Sequence, residues 1–259
     1  TAILLLDEVQ NIPDWSRWLR RIYDNEKMRI FVSGSTSKTS SKEIPTELRG
    51  RFLEVKIFPL SFKEFLNFKK IGYDWEKVNY STNEKAKVIN AFGDYLKFGG
   101  LPEIVLSEES RRFDIAQSYY QTVVRRDIIE RYKIKNEEAM KALLLILLNS
   151  TYYSLTKLYN SLKSLNYKVG KSVLQRYMSG IQNSYLMFSV PVFSYKIKDQ
   201  LQYVRKIYCI DNVFLSSIST KFNRNLGKLY ENLVAVNIRK EYENMYYWKN
   251  ALQEEVDFV

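Results

Sequence analysis

Four apolar residues, Ile3-Leu4-Leu5-Leu6, run directly into two carboxylates, Asp7 and Glu8. An apolar run of this length without alternation predicts a strand buried on both faces, as in a parallel sheet. Trp15, Trp18, Leu19 and Ile22 then recur at helical spacing, with Arg17, Arg20 and Arg21 on other faces. That pattern predicts an amphipathic helix packed on the sheet, with its tryptophans in the core. Arg29-Ile30-Phe31-Val32 reads as the next strand and ends in Ser33-Gly34-Ser35-Thr36. After a polar loop over 37–41, Phe52 to Phe58 alternates as a strand does. Pro59-Leu60-Ser61-Phe62-Lys63-Glu64-Phe65-Leu66 opens a helix, with Ser61 as cap and Glu64 three residues on, a capping box. From about 84 to 135 the pattern is helical, broken once at Gly99-Gly100-Leu101-Pro102-Glu103. The helix after the break carries Arg125, Arg126, Asp127, Glu130 and Arg131, a basic cluster that could face nucleotide, DNA or water, with a solvated face the first reading.

From Glu137 to about Asp211 the pattern changes to a compact unit. Met140 to Leu148 is a hydrophobic helix. Ser154 caps a second helix bearing Leu155, Leu158, Tyr159 and Leu162, and Gly170-Lys171-Ser172 leads into a third with Val173, Leu174, Tyr177, Ile181 and Leu186. Two alternating runs follow, Met187 to Lys196 and Val204 to Ile210, with polar residues between them. Three helices and a hairpin make a winged helix. Its third helix would present Lys168, Lys171, Ser172, Gln175 and Arg176 to a major groove, and the wing would bring Lys196, Lys198, Arg205 and Lys206 to phosphates. The competing reading is a winged helix that serves only for packing between domains. Gly170-Lys171-Ser172 lacks the upstream glycine and the strand of a phosphate loop. A last helix begins at Gly227-Lys228-Leu229-Tyr230-Glu231, and Tyr246 to Lys249 and Glu254 to Val259 read as strands.

Composition narrows the chemistry. The 259 residues are 46% hydrophobic, enough for a substantial core and about two domains. The formal charge of +11 favours an acidic partner, nucleic acid first, although a lysine-rich solubilising surface accounts for it equally. With no histidine, Ser-His-Asp and Cys-His sites and His-ligated zinc are excluded. The single cysteine, Cys209, makes no internal disulfide, which fits a reducing cytoplasm. The longest apolar block, Ala142 to Leu148, falls short of the roughly 20 residues of a membrane span. Richness in Lys, Tyr, Asn and Ile suits an AT-rich genome such as that of an archaeon. No signal peptide is visible, and both ends look cut: no glycine-rich phosphate loop precedes Ile3, and the last strand stops at Val259.

Two adjacent acids past the carboxyl end of a buried strand sit where open α/β sheets place their ligands. Uncompensated, they cost stability; a magnesium ion with nucleotide phosphates supplies the compensation. Asp7 would hold the ion, usually through water, and Glu8 would polarise the attacking water, the Walker-B arrangement of P-loop NTPases. The wider stretch from Asp7 to Trp15, with Gly34-Ser35 after the next strand, resembles the archaeal and bacterial AAA-like ATPases. In that family a P-loop ATPase is fused to a winged helix and a restriction-endonuclease-like domain. The resemblance implies a sensor role for Ser35, with Ser33 as second choice, in positioning the water or the γ-phosphate. Glu47-Leu48-Arg49-Gly50-Arg51-Phe52 is similar to the family's Gly-Arg signature and implies a transition-state arginine at Arg51, or failing that Arg49. The Pro-Leu-Ser-Phe-x-Glu-Phe and Gly-Gly-x-Pro-Glu strings also resemble the family, without chemistry attached to them. At the far end, the resemblance implies that Glu231 and Asp257, and less so Glu255, hold a second magnesium beside a scissile phosphate. The family's following Glu-x-Lys strand is not in this chain.

The expected fold is therefore a partial α/β P-loop ATPase core lacking its first half, followed by a helical lid, an α+β winged helix and a partial endonuclease-like α/β end. The units are placed at 1–70, 71–136, 137–211 and 212–259. The expected function is magnesium-dependent ATP hydrolysis coupled to a DNA or protein contact. The alternatives are a DNA-binding module in which nucleotide is irrelevant, or a metal-dependent nuclease. The partners expected are ATP, double-stranded DNA and further copies of the chain, with no membrane.

Overall fold

A computed structural model of the chain describes residues 2–35, 48, 50–220, 225–250 and 252–259. At the amino end, β1 (Ala2–Leu6) and β2 (Met28–Val32) run parallel, paired from Ala2↔Met28 to Leu6↔Val32, with α1 (Trp15–Asn25) as the crossover. Leu19 and Leu48 are buried there against Leu6, Trp15 and Ile30. Two expectations are corrected. β1 is covered on one face only, and Ile3 and Leu5 are 62% and 72% exposed, because no layer among the described residues lies over the other face. Trp18, expected in the core, is exposed at the rim of α1.

Phe52 to Phe58, expected as a strand, belongs to no strand among the described residues, and Leu53, Val55 and Ile57 are exposed. The chain then enters α2 (Phe62–Phe68) through the expected capping box: Ser61 N donates to Glu64 at 2.7 Å and Glu64 N donates to the Ser61 hydroxyl at 3.4 Å. After the short α3 (Trp75–Val78), α4 (Thr82–Phe98) packs on α2 through Phe65, Leu66, Ala91 and Tyr95. The Gly99-Gly100 break comes next, and it touches the residues that precede α2. Leu60 N donates to Gly100 O at 2.8 Å, and the Tyr95 hydroxyl donates to Leu60 O at 2.7 Å. A Cβ on Gly100 would lie 2.3 Å from Leu60 O, so only glycine lets the two backbones meet. α5 (Pro102–Leu106) and α6 (Arg112–Thr122) follow, and α6 runs into a π-helical stretch, Val123–Glu130.

The largest core gathers around α7 (Glu137–Leu148), whose Met140, Leu143, Leu144, Leu147 and Leu148 are buried against α8 (Leu155–Ser164) and α9 (Lys171–Asn183). A three-stranded antiparallel sheet closes this unit. Its strands are β3 (Tyr152–Tyr153), β4 (Met187–Val190) and β5 (Arg205–Cys209), in the order β3-β5-β4. β3 is too short to show an alternation in the sequence. The polar residues between the last two strands form α10 (Ile197–Gln202).

α11 (Asn212–Ile218) is capped by Asp211 and packs against α4 and α6. α12 (Leu226–Glu241) lies on β5 through a buried amide network: Cys209 N donates to Asn232 Oδ1 at 2.8 Å, and Asn232 Nδ2 donates to Cys209 O and to Asn212 Oδ1, both at 2.9 Å. The chain ends in a hairpin of β6 (Trp248–Lys249) and β7 (Glu255–Val256), joined to the segment after β4 where Phe193 N donates to Tyr247 O at 2.6 Å. No helix among the described residues is long and apolar enough to cross a membrane.

Candidate functional site

The carboxyl end of β1 turns sharply at Glu8, whose φ of 50° and ψ of 43° are left-handed. Such backbone in a non-glycine residue costs of order 1 kcal/mol and is held by its surroundings. Here Ser33, at the end of β2, does the holding. Ser33 N donates to Leu6 O at 2.8 Å, Val9 N donates to Ser33 O at 3.3 Å, and Glu8 N donates to the Ser33 hydroxyl at 3.3 Å. That hydroxyl donates in turn to Asp7 Oδ1, while the Ser35 hydroxyl donates to Glu8 Oε2 at 3.0 Å. The parallel register thus brings Asp7, Glu8, Ser33 and Ser35 onto one rim. Asp7 is exposed and Glu8 and Ser35 are half-buried. All four side chains offer oxygen only, a donor set that fits a hard cation such as magnesium.

A further pair reaches this rim that sequence reasoning had left on a solvated face. Asp127, on the π-helical stretch, forms an ion pair with Arg131 at 3.0 Å, and both side chains are under 20% exposed. Burial pushes the Asp127 carboxyl above its ordinary pKa; Arg131 opposes this, the charge of Glu8 adds to it, and the polar Ser35 hydroxyl nearby opposes it. The signal available in the sequence was the i,i+4 Asp-Arg spacing, which marks an ion pair but not the direction it faces. Arg125 and Arg126 do lie in solvent. Arg51 is exposed, its backbone N donating to Leu48 O at 3.1 Å. Arg49 and Thr36 to Glu47 lie outside the described residues.

On the three-helix unit, α9 buries Leu174, Tyr177 and Ile181 and leaves Lys171, Ser172, Gln175 and Arg176 exposed, with Lys168 exposed just before it. Lys196 and Lys198 are exposed at the start of α10. Lys206 is a correction. Expected to reach phosphates, its side chain is 1% exposed, because it lies on the face of β5 that α12 and the terminal hairpin cover.

Lys206 Nζ instead meets Glu231 of α12 at 3.3 Å and also pairs with Glu255 and Asp257 of the hairpin. The structure therefore does bring Glu231, Glu255 and Asp257 together, but around an ammonium group. Tyr152 donates to Glu255, and Tyr208 donates to Glu231 at 2.7 Å. As arranged, the acids do not fit a magnesium ion, since Lys206 Nζ fills the space between them; among the described residues no group of three or more acid or cysteine side chains is placed to hold a metal.

Comparison with known proteins adds to this geometry. Residues 1–66 are similar to the AAA domain. An uncharacterised protein of Methanocaldococcus jannaschii is 39% identical over 266 residues, covering 100% of this chain and 58% of that protein. An uncharacterised protein of Haemophilus influenzae is 25% identical over 98% of this chain and 62% of that protein. A second uncharacterised M. jannaschii protein is 28% identical over 73% of this chain and 42% of that protein. The chain thus spans about three-fifths of the length of the first two of these relatives. Residues 89–225, which run from α4 through α11 and include the whole three-helix unit with its sheet, match one family over more than half of the chain, and by that match the chain belongs to the family described as the domain of unknown function DUF8612.

Proposed function

We propose that this chain carries the Walker-B half of an AAA-type ATPase. The observation that carries the reading is the rim at the end of β1 and β2, where Ser33 orients Asp7 and Ser35 orients Glu8, within a segment similar to the AAA domain. In this reading Asp7 holds the magnesium ion of MgATP, which supplies charge neutralisation for the phosphates when bound. Glu8 polarises the attacking water, held in place by the Ser35 hydroxyl. Arg51 is the proposed transition-state arginine, supplied in cis or to a neighbouring copy. Helices 71–136 act as the lid, and Asp127 with Arg131 links the nucleotide rim to the helix that leads into the three-helix unit. The test is Glu8→Gln in the full-length protein. Turnover should fall by about 100-fold or more while MgATP still binds; turnover at the wild-type rate sinks the reading.

A second reading has its own support. Three helices with a sheet in the order β3-β5-β4 support reading this unit as a winged helix, and α9 leaves Lys171, Gln175 and Arg176 in solvent. We propose that this helix enters the major groove of double-stranded DNA, with Lys168, Lys196 and Lys198 on phosphates. Replacing Lys171 and Arg176 with Ala should weaken duplex binding and reduce the slope of log affinity against log salt by about 1–2. Unchanged binding would assign the unit to packing alone.

A further inference from the structure

The resemblance of the carboxyl end to endonuclease-like domains implies a magnesium ion between Glu231 and Asp257. The side chains present there describe a different object. Lys206 is the second residue of β5, Glu231 lies 25 residues further on, on α12, Glu255 is in the last strand of the hairpin and Asp257 lies just after it. Three segments remote in sequence converge on a single ammonium. Its side chain is 1% exposed, and its charge is shared among three carboxylates. The Tyr152 and Tyr247 rings lie 5.3 and 5.7 Å away, which adds cation–π attraction on its open sides.

Charge balance supports the same description. Glu231 has a second counter-ion in Lys228 at 3.6 Å, and Glu255 has a second in Lys249 at 3.5 Å. Three acids therefore face three lysines, so their formal charges balance without any added ion. A divalent cation would need oxygen ligands at about 2.0–2.6 Å, the space that Lys206 Nζ holds. Burial alone would depress the Lys206 pKa, but its bonds to Asp257 and Glu255 and the charge of Glu231 carry it above the ordinary lysine value, so the group stays charged at neutral pH.

We propose that the cluster is a cation site whose occupant is the chain's own Lys206, so that it forms a charge-locked joint between the three-helix unit and the terminal hairpin and is closed to divalent metal. Glu231, Glu255 and Asp257 then hold the two units together and do not cleave phosphodiesters in this arrangement. This goes beyond the ATPase reading and does not depend on it.

Manganese is a suitable probe, read by electron paramagnetic resonance. Wild type should bind no Mn2+ that Asp257→Asn removes. Lys206→Met should gain about one equivalent, and adding Asp257→Asn should abolish that gain. The proposal is overturned by a wild-type Mn2+ site that is lost in Asp257→Asn, or by a folded Lys206→Met protein that gains none. A second measurement needs wild type only, and so stands if Lys206→Met does not fold. Acylation of Lys206 by an amine-reactive ester, mapped by mass spectrometry, should be at least about 10-fold slower than that of exposed lysines such as Lys171 and unaffected by Mn2+. Acylation at the rate of exposed lysines, or acylation that accelerates when Mn2+ is added, would overturn the proposal.

Discussion

Asp211 offers a prediction that depends on burial, hydrogen bonding and pH together. Its carboxylate accepts from Gly100 N at 2.7 Å and from Val213 N at 2.8 Å, so one side chain both caps α11 and ties it to the break after α4. Burial raises its pKa from 3.8 to about 6, even though both backbone bonds and the charge of Lys240 pull the other way. For an acid whose folded pKa is raised, the folded state holds its proton longer than the unfolded state does. The contribution to stability is therefore greatest at low pH and declines as pH rises through the window from 3.8 to about 6. The full change is about 3 kcal/mol, and about 2 kcal/mol of it falls between about pH 4.5 and 7.5. Asp211→Asn removes the titration. Its amide can accept from only one of the two N–H groups and turns a donor toward the other, at a cost of about 1–3 kcal/mol. Urea unfolding of both proteins followed by circular dichroism isolates the group, because the other titrations cancel in the difference. Between about pH 4.5 and 7.5 the stability of wild type relative to the variant should fall by about 2 kcal/mol. A difference that is constant across this range would refute the assignment of a raised pKa to Asp211.

Gly99 has a φ of +72°, and a Cβ placed on it would sit 1.5 Å from Asp211 Oδ1, so Gly99→Ala should cost more than about 2 kcal/mol in urea unfolding. Gly100→Ala should behave likewise, because its Cβ would meet Leu60 O at 2.3 Å. Ser61→Ala removes half of the capping box and should lower stability by about 1 kcal/mol; a loss under a few tenths would mean that the box contributes nothing. Asp127→Asn keeps the shape of the residue that touches Ser35 and Arg131, and in the full-length protein it should change the rate of ATP turnover with little effect on MgATP affinity. An unchanged rate would remove Asp127 from the rim's chemistry.

Local signals carried much of this structure. The Ser61 and Ser154 caps, the hydrophobic α7 and the periodicity of α9 are each written within one or two helical turns, and each appears where the spacing places it. The convergence of Asp7 and Glu8 with Ser33 and Ser35 was readable because a parallel β-α-β unit brings the ends of adjacent strands together whatever the intervening residues are. Lys206 was misread because alternation along β5 shows only that neighbours face opposite ways, not which face is covered by a helix arriving 20 residues later. The same limit hid Asp127. The two motif strings that carried no chemistry, before α2 and after α4, turn out to touch each other through Leu60 and Gly100, a contact between residues 40 apart that no local pattern records. The exposure of Ile3 and Leu5 depends on which layers cover the sheet, and that is not a property of the run itself.

The central claim is that the rim at Asp7 and Glu8 receives a magnesium nucleotide. Calorimetric titration of the full-length protein with ATP, in magnesium and then in excess chelator, tests it most directly when wild type is compared with Asp7→Ala. The account predicts binding that magnesium strengthens in wild type and a loss of that magnesium dependence in the variant. Binding with the same magnesium dependence in both proteins, or no ATP binding by wild type, would contradict it.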